Sequence, residues 1–150
     1  MANAATQEVL IDAPLQRFWE VVTDYARYPE FVPGLHGCRV VREATDEKHV
    51  EYELDLGIRK IRYVLRHVEE APRKLSWSLV GGDLMKVSNG SWELAAEGEK
   101  TRARYSVEIQ VSKPPFVPQA VIDRVSDELS RVSLPRNLAA FKARAEKKAR

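Results

Sequence analysis

The sequence contains three histidines, His36, His49 and His67, and an imidazole is the side chain best suited to acid–base work near neutral pH. Their settings differ. His36 falls in a turn, and His49 lies on the wet face of a strand. His67 follows Ile61, Tyr63 and Leu65, which alternate with Lys60, Arg62 and Arg66, and this period of two carries it to the inner face. It is therefore the histidine that the pattern sends toward an interior, with the phenols of Tyr63 and Tyr105 as the other acid–base candidates. Asp24, Glu30 and Asp83 are placed near loops, without the spacing of a paired-carboxylate site. The chain has no phosphate-binding glycine loop, no Gly-x-Ser-x-Gly elbow and no His-Glu-x-x-His. Cys38, the lone cysteine, supports neither an intrachain disulfide nor a zinc-spaced cluster. No residue is assigned as catalytic on this pattern, and neither a metal nor a cofactor is expected.

A different chemistry is suggested by Tyr52, Tyr63, Trp77, Trp92 and Tyr105. Each brings a large apolar body and one polar tip to an inward strand position. Such side chains either pack solid with every tip satisfied or line a cavity. In the second case Phe31, Tyr52, Leu54, Tyr63, Trp77, Trp92, Tyr105, Ile122 and Val125 are the candidate ligand-binding residues. Apolar surface buried there contributes about 25 cal/mol per Å², so few polar contacts are needed for useful binding.

The elements that must position these groups follow from periodicity. Gln7 to Ile11 suits a first strand, ended by Asp12-Ala13-Pro14, where Asp12 can cap a helix and Pro14 suits its first turn. Leu15, Phe18, Trp19 and Val22 then form one helical stripe. Tyr25 to Gly34 holds Pro29 and Pro33, which give short fixed segments, a stiff elbow able to close the mouth of a concave sheet with Phe31 and Val32. Six strands follow in hairpin succession. They centre on Cys38–Val41, Val50–Leu56, Ile61–Leu65, Leu75–Leu79, Met85–Leu94 and Arg102–Val111, with Val80-Gly81-Gly82-Asp83 as a break. Glu51, Glu53 and Asp55 face outward beside Lys60, Arg62 and Arg66, so cross-strand charge pairs are expected.

From Pro118 the period becomes helical, with Ile122, Val125, Leu129 and Val132 on one face; Pro135 predicts a kink or a fresh helix start before Leu138 and Phe141. The end, Lys142 to Arg150, is expected to fray into solvent. This order specifies an α+β domain, an antiparallel sheet with helices on one side. A strongly curved sheet would wrap the last helix.

At 150 residues the chain is read as a single domain, 1–150, able to bury roughly 70% of its unfolded surface. No window approaches the ~18 consecutive apolar residues of a membrane span, the start has no leader pattern, and the lone cysteine fits a reducing compartment, so a cytoplasmic location is expected. With 24 basic and 22 acidic side chains the net charge is +2, too balanced to predict DNA binding.

Several segments also resemble a known family. These are the strand–helix start with Asp12-Ala13-Pro14, the elbow Tyr28-Pro29-Glu30-Phe31-Val32-Pro33-Gly34, Leu79-Val80-Gly81-Gly82 followed by Gly90-Ser91-Trp92, and Leu134-Pro135-Arg136-Asn137-Leu138. Together they look like the START-like (SRPBCC) superfamily, within it the polyketide cyclase/dehydrase and coenzyme Q-binding START-type branch, which includes ribosome-association toxin relatives. The resemblance implies a helix-grip fold. In that fold a seven-stranded curved antiparallel sheet wraps around a long C-terminal helix, with two short helices after strand 1 and a hydrophobic tunnel between sheet and helix.

It does not imply one activity, because fold alone does not fix function. The expected role is binding of a lipid, isoprenoid quinone or polyketide in the tunnel, as carrier or chaperone. The alternatives are a polyketide aromatase/cyclase using the same tunnel, with His67, Tyr63 and Tyr105 as acid–base groups, or a ribosome- or membrane-associated protein. That last role would use Arg131, Arg136, Lys142, Arg144, Lys147 and Lys148 of the basic C-terminal segment.

Overall fold

The computed structural model describes residues 3–57, 59–129 and 134–147. Strand β1 (Asn3–Ile11) leads into helix α1 (Leu15–Thr23) and a 3₁₀ turn (Tyr25–Glu30). Strands β2 (Leu35–Glu43), β3 (Glu47–Asp55), β4 (Lys60–Glu70), β5 (Lys74–Gly82), β6 (Met85–Glu97) and β7 (Lys100–Val111) follow. Helices α2 (Gln119–Asp127) and α3 (Leu134–Glu146) end the chain. The sheet has seven antiparallel strands in the order β1-β7-β6-β5-β4-β3-β2, so every link from β2 to β7 is a neighbour hairpin. Helix α1 and the elbow carry the chain from one edge of the sheet to the other, which puts them across one end of its concave face.

Alternation explains the layers. On β3, Val50, Tyr52 and Leu54 are buried, and on β7 so are Ala103, Tyr105, Val107 and Ile109. Outside, Arg62 reaches Glu53 at 2.7 Å and Arg66 pairs with Glu47. Such exposed pairs are worth little to stability and chiefly favour one register. Register shifts at Leu35/Gly37, Val40/Arg42, Val64/Leu65 and Met85/Val87 bend and twist the strands, curving the sheet around its helical side.

Several expectations need correction. Asp12 does not cap α1: Pro14 holds the cap position without a side-chain bond, and the Asp12 backbone N–H donates to Glu146 Oε2 at 2.8 Å. Strand β5 runs through Gly81 and Gly82 instead of breaking there, because Gly82 adopts φ +151° and pairs with Tyr63, whose Cα a Cβ would meet at 2.4 Å. Of the two outcomes expected at Pro135, the fresh helix start is the one described and needs no correction: Pro135 stands in the first turn of α3, where its missing N–H costs nothing. Val132 and Arg131 lie outside the described residues.

The tail does not fray before Glu146. Ala145 is buried, Glu146 ties back to β1, and the Arg17 guanidinium donates to the Arg144 and Ala145 carbonyls at 3.2 and 3.4 Å. Among the described helices none is long and apolar enough to cross a membrane.

Candidate functional site

Between the concave face and α3 lies a cavity of about 110 Å³. Sheet strands supply Tyr52 and Leu54, then Tyr63, Leu65 and His67, then Trp77, Trp92, Tyr105, Val107 and Ile109. Tyr28, Val32 and Leu35 close it from the elbow side, and Leu129, Asn137 and Phe141 from the helical side. Aromatic contacts run round it in a closed circuit. Tyr52 meets His67 (ring centroids 5.9 Å apart), His67 meets Trp77 (5.9 Å), and Trp77 meets Tyr105 (6.0 Å). Tyr105 continues to Trp92 (4.4 Å), Trp92 to Phe141 (5.6 Å), Phe141 to Tyr28 (5.1 Å), and Tyr28 back to Tyr52 (6.4 Å). Flat, rigid walls of this kind lose little conformational entropy on meeting a ligand.

The volume limits what fits without movement. Small-molecule sites typically enclose about 300–1,000 Å³, and a dry cavity of about 150 Å³ takes one benzene. At about 110 Å³ this cavity is smaller than that, so without movement it admits only the end of a molecule. Anything larger must displace lining side chains or α3. A roomier hollow of about 550 Å³ opens where β3, β4 and β5 end, but its walls include His36, Glu53, Asp55, Lys60, Arg62 and Asp83. Charged walls of this kind suit solvent and not an apolar guest.

The polar tips inside the cavity are few. The Tyr52 hydroxyl and His67 Nε2 are 2.7 Å apart, Asn137 lines the same hollow, and the Tyr28 hydroxyl donates to the Val22 carbonyl. Burial pushes the Tyr52, Tyr63 and Tyr105 phenols well above their usual range, so they stay protonated at neutral pH. Burial, and to a lesser degree the charge of Lys48, lowers the His67 imidazole to about 3. It is thereby held neutral and is a poor proton acceptor near pH 7, where a general base needs a pKa close to ambient. Behind it Lys48 Nζ sits 2.9 Å from Glu69 Oε2, which also accepts from the Tyr25 hydroxyl at 2.6 Å. Cys38, buried and raised to about 12, stays a thiol.

Of the nine residues proposed from sequence, Tyr52, Leu54, Tyr63, Trp77, Trp92 and Tyr105 line this cavity. Phe31 does not. It packs edge-on against Phe141 at 5.1 Å with the Arg144 guanidinium 5.1 Å from its ring centroid, while Arg144 pairs with Glu30 at 2.8 Å. Its role there is to bolt the elbow to α3. Ile122 and Val125 are buried in the core but do not line the cavity. Sequence reading missed Leu65, Val107 and Ile109 as lining, though their inward alternation was visible. It also missed Ser88, Asn137 and Phe141, which only the register of β6 and the docking of α3 bring in.

Gly90 shows how tightly the wall is built. A Cβ there would stand 2.3 Å from Trp77 Cζ2 and 2.6 Å from the Ser106 carbonyl oxygen. Gly90→Ala is expected to cost about 1–3 kcal/mol by overpacking and to push the Trp77 ring into the cavity. Urea denaturation with wild-type stability would show that the wall yields.

A curved antiparallel sheet gripping C-terminal helices around an apolar hollow defines the helix-grip class. The chain belongs to the polyketide cyclase/dehydrase and lipid transport family, whose model matches residues 11–141. It is 26% identical over 100 residues to the ribosome association toxin RatA of Pseudomonas aeruginosa, a match covering 67% of this chain and 69% of that one. The fold superposes on the Zhui aromatase/cyclase of Streptomyces sp. R1128 with a TM-score of 0.86 at 16% identity, covering 100% of this chain and 97% of that one. A START superfamily protein from Mycobacterium smegmatis gives a TM-score of 0.74 at 16% identity, covering 95% and 97%.

Proposed function

We propose that the chain binds a hydrophobic small molecule of the lipid, isoprenoid quinone or polyketide kind in the cavity between sheet and α3, as a carrier or chaperone in the cytoplasm. The observation that supports this most is the closed aromatic circuit around an apolar hollow. Family membership supports the ligand class, and a single cysteine, which can form no intrachain disulfide, fits the compartment. One end of the guest enters the hollow, and the rest is accommodated by displacement of α3 and the elbow.

Two other readings compete. The fold likeness to an aromatase/cyclase favours ring closure in the same hollow, but the neutral, buried His67 and protonated Tyr63 and Tyr105 make weak proton movers at pH 7. The likeness to RatA favours ribosome contact through the basic segment. Lys142 and Arg144, however, are engaged by Glu146 and Glu30, leaving Arg136 and Lys147 as the exposed basic groups among the described residues of that segment.

A titration with the fluorescent apolar probe N-phenyl-1-naphthylamine tests the placement. Val107→Phe, which fills the hollow, is expected to weaken probe binding at least about tenfold, a loss of about 1.4 kcal/mol. Equal affinity in a folded Val107→Phe protein would move the site elsewhere.

A further inference from the structure

Phe116 is 103% exposed, whereas Val40, Val41 and Val80, the other exposed large apolar side chains among the described residues, lie between 39% and 53%. Its backbone is strained as well. The Val117 N–H donates to the Pro114 carbonyl at 3.4 Å, closing a turn with Pro115 and Phe116 at its centre, and Phe116 takes φ +72° there. Glycine or asparagine is the ordinary occupant of that left-handed position, and a bulky side chain on it costs free energy. Fully in water, the ring offsets none of that cost by packing. Pro114, Pro115 and Pro118 stiffen the loop, so little further conformational entropy is lost when the ring docks.

The surroundings narrow the partner. The turn leaves β7 at Val111, which pairs with Met85, and the Ser112 N–H donates to the Leu84 carbonyl at 2.8 Å. Lys86 and Lys113 therefore flank it, both exposed and neither in an ion pair among the described residues. Arg59 and Lys60, also exposed, stand at the same end of the sheet. The acids there are engaged: Asp83 accepts from the Arg62 N–H at 3.1 Å, Asp55 from the Gly57 N–H at 2.8 Å, and Glu53 pairs with the Arg62 side chain. A single apolar ring among cations, with no continuous apolar patch around it, fits the boundary of headgroups and acyl chains better than the buried core of a protein interface. We propose that the Phe116 turn is a membrane anchor, its ring entering the acyl boundary of an anionic lipid surface while Lys86 and Lys113 meet the headgroups. Met85 and Ile109 of the cavity wall lie at this end of the sheet, so docking turns that end of the hollow toward the lipid. The anchor goes beyond the ligand-binding reading and is tested apart from it.

Co-sedimentation of the full chain with vesicles of phosphatidylcholine and phosphatidylglycerol in equal parts provides the test. The chain is expected to bind them, to release in high salt, and to bind vesicles of phosphatidylcholine alone at least about tenfold more weakly. Phe116→Gly is expected to lower binding to the mixed vesicles at least about tenfold while melting no lower than the wild type, because glycine accepts φ +72° without strain. A nitrobenzoxadiazole label attached through Phe116→Cys should brighten on the mixed vesicles. The same label attached through Glu99→Cys, in the β6–β7 turn at the other end of the sheet, should not, and buried Cys38 stays unlabelled. Equal binding by Phe116→Gly overturns the anchor, and a clear drop in its melting temperature makes the ring structural and overturns it too. A wild-type chain that ignores both kinds of vesicle also overturns it and leaves the ring to a protein partner. Uptake of N-phenyl-1-naphthylamine should be the same in Phe116→Gly, so loss of the anchor leaves the cavity reading standing, while docking without probe uptake keeps the anchor and overturns the cavity.

Discussion

Replacing Trp92 by alanine is expected to cost about 3–5 kcal/mol of stability, the usual range for deleting a large buried aromatic side chain. The indole is 1% exposed and joins three parts of the molecule. It meets Phe18 of α1 edge-on at 5.1 Å, Tyr105 of β7 at 4.4 Å and Phe141 of α3 at 5.6 Å. Its removal thus opens a hole where α1, the sheet and α3 converge, and the neighbours are held by separate elements that cannot all collapse inward. For a chain of this size, roughly 2–4 °C of melting temperature goes with each kcal/mol, so a drop of about 10 °C is the expected reading. The urea midpoint should fall with little change in slope. A loss below about 1 kcal/mol would mean that Trp92 is not the joint of this core. The same connectivity makes Trp92 a poor residue for isolating ligand binding, since its loss would disturb fold and cavity together.

Acidification should destabilise the protein in a window set by His67. The folded-state pKa is lowered from 6.5 to about 3, by burial first and the Lys48 charge second. Below pH 6.5 the unfolded chain therefore binds a proton that the folded chain refuses, and unfolding becomes easier as pH falls. The contribution is fully present above pH 6.5 and is lost progressively down to about pH 3. Between pH 7 and pH 5 the expected loss is about 2 kcal/mol, at 1.36 kcal/mol per pH unit below the unfolded value. Glu47 and Glu97 are lowered from 4.5 by hydrogen bonds from Arg66 and Arg102, so they add to the loss only at pH below the 7-to-5 interval. Urea denaturation at pH 7, 6 and 5 reads the slope directly. His67→Phe should flatten it, and an equal slope in both proteins would assign the acid sensitivity to other groups.

Much of the arrangement was legible because strands with one wet face write their register into the sequence. Val50, Tyr52 and Leu54 on β3 and Ala103 to Ile109 on β7 alternate without interruption, and Ile61 to His67 on β4 does so except at the apolar, half-buried Val64. What escaped was long-range. Strand β1 begins at Asn3 because pairing from Asn3↔Ile109 to Ile11↔Thr101 supports residues whose own pattern is too polar to announce a strand. The docking of α3 depends on Glu146 meeting the Asp12 amide and on Arg17 reaching carbonyls more than a hundred positions away, and no local pattern encodes either.

The cavity was the least legible feature. The aromatic residues were visible, but whether they fill a hollow or enclose one depends on a few tens of Å³ distributed over many rotamers. Gly90 facing Trp77 shows how finely that balance is set. Ile122 and Val125 share the period of a cavity-facing stripe yet are absorbed by core packing, because α2 settles against β7 beside the hollow and not over it.

The central claim is that this fold carries a hydrophobic guest. Native mass spectrometry of the chain purified from its own cells, paired with solvent extraction of the same sample, tests it most directly. The account predicts one hydrophobic molecule per chain, released by the solvent. A chain that flies at its bare sequence mass in every preparation, with nothing in the extract, would contradict it.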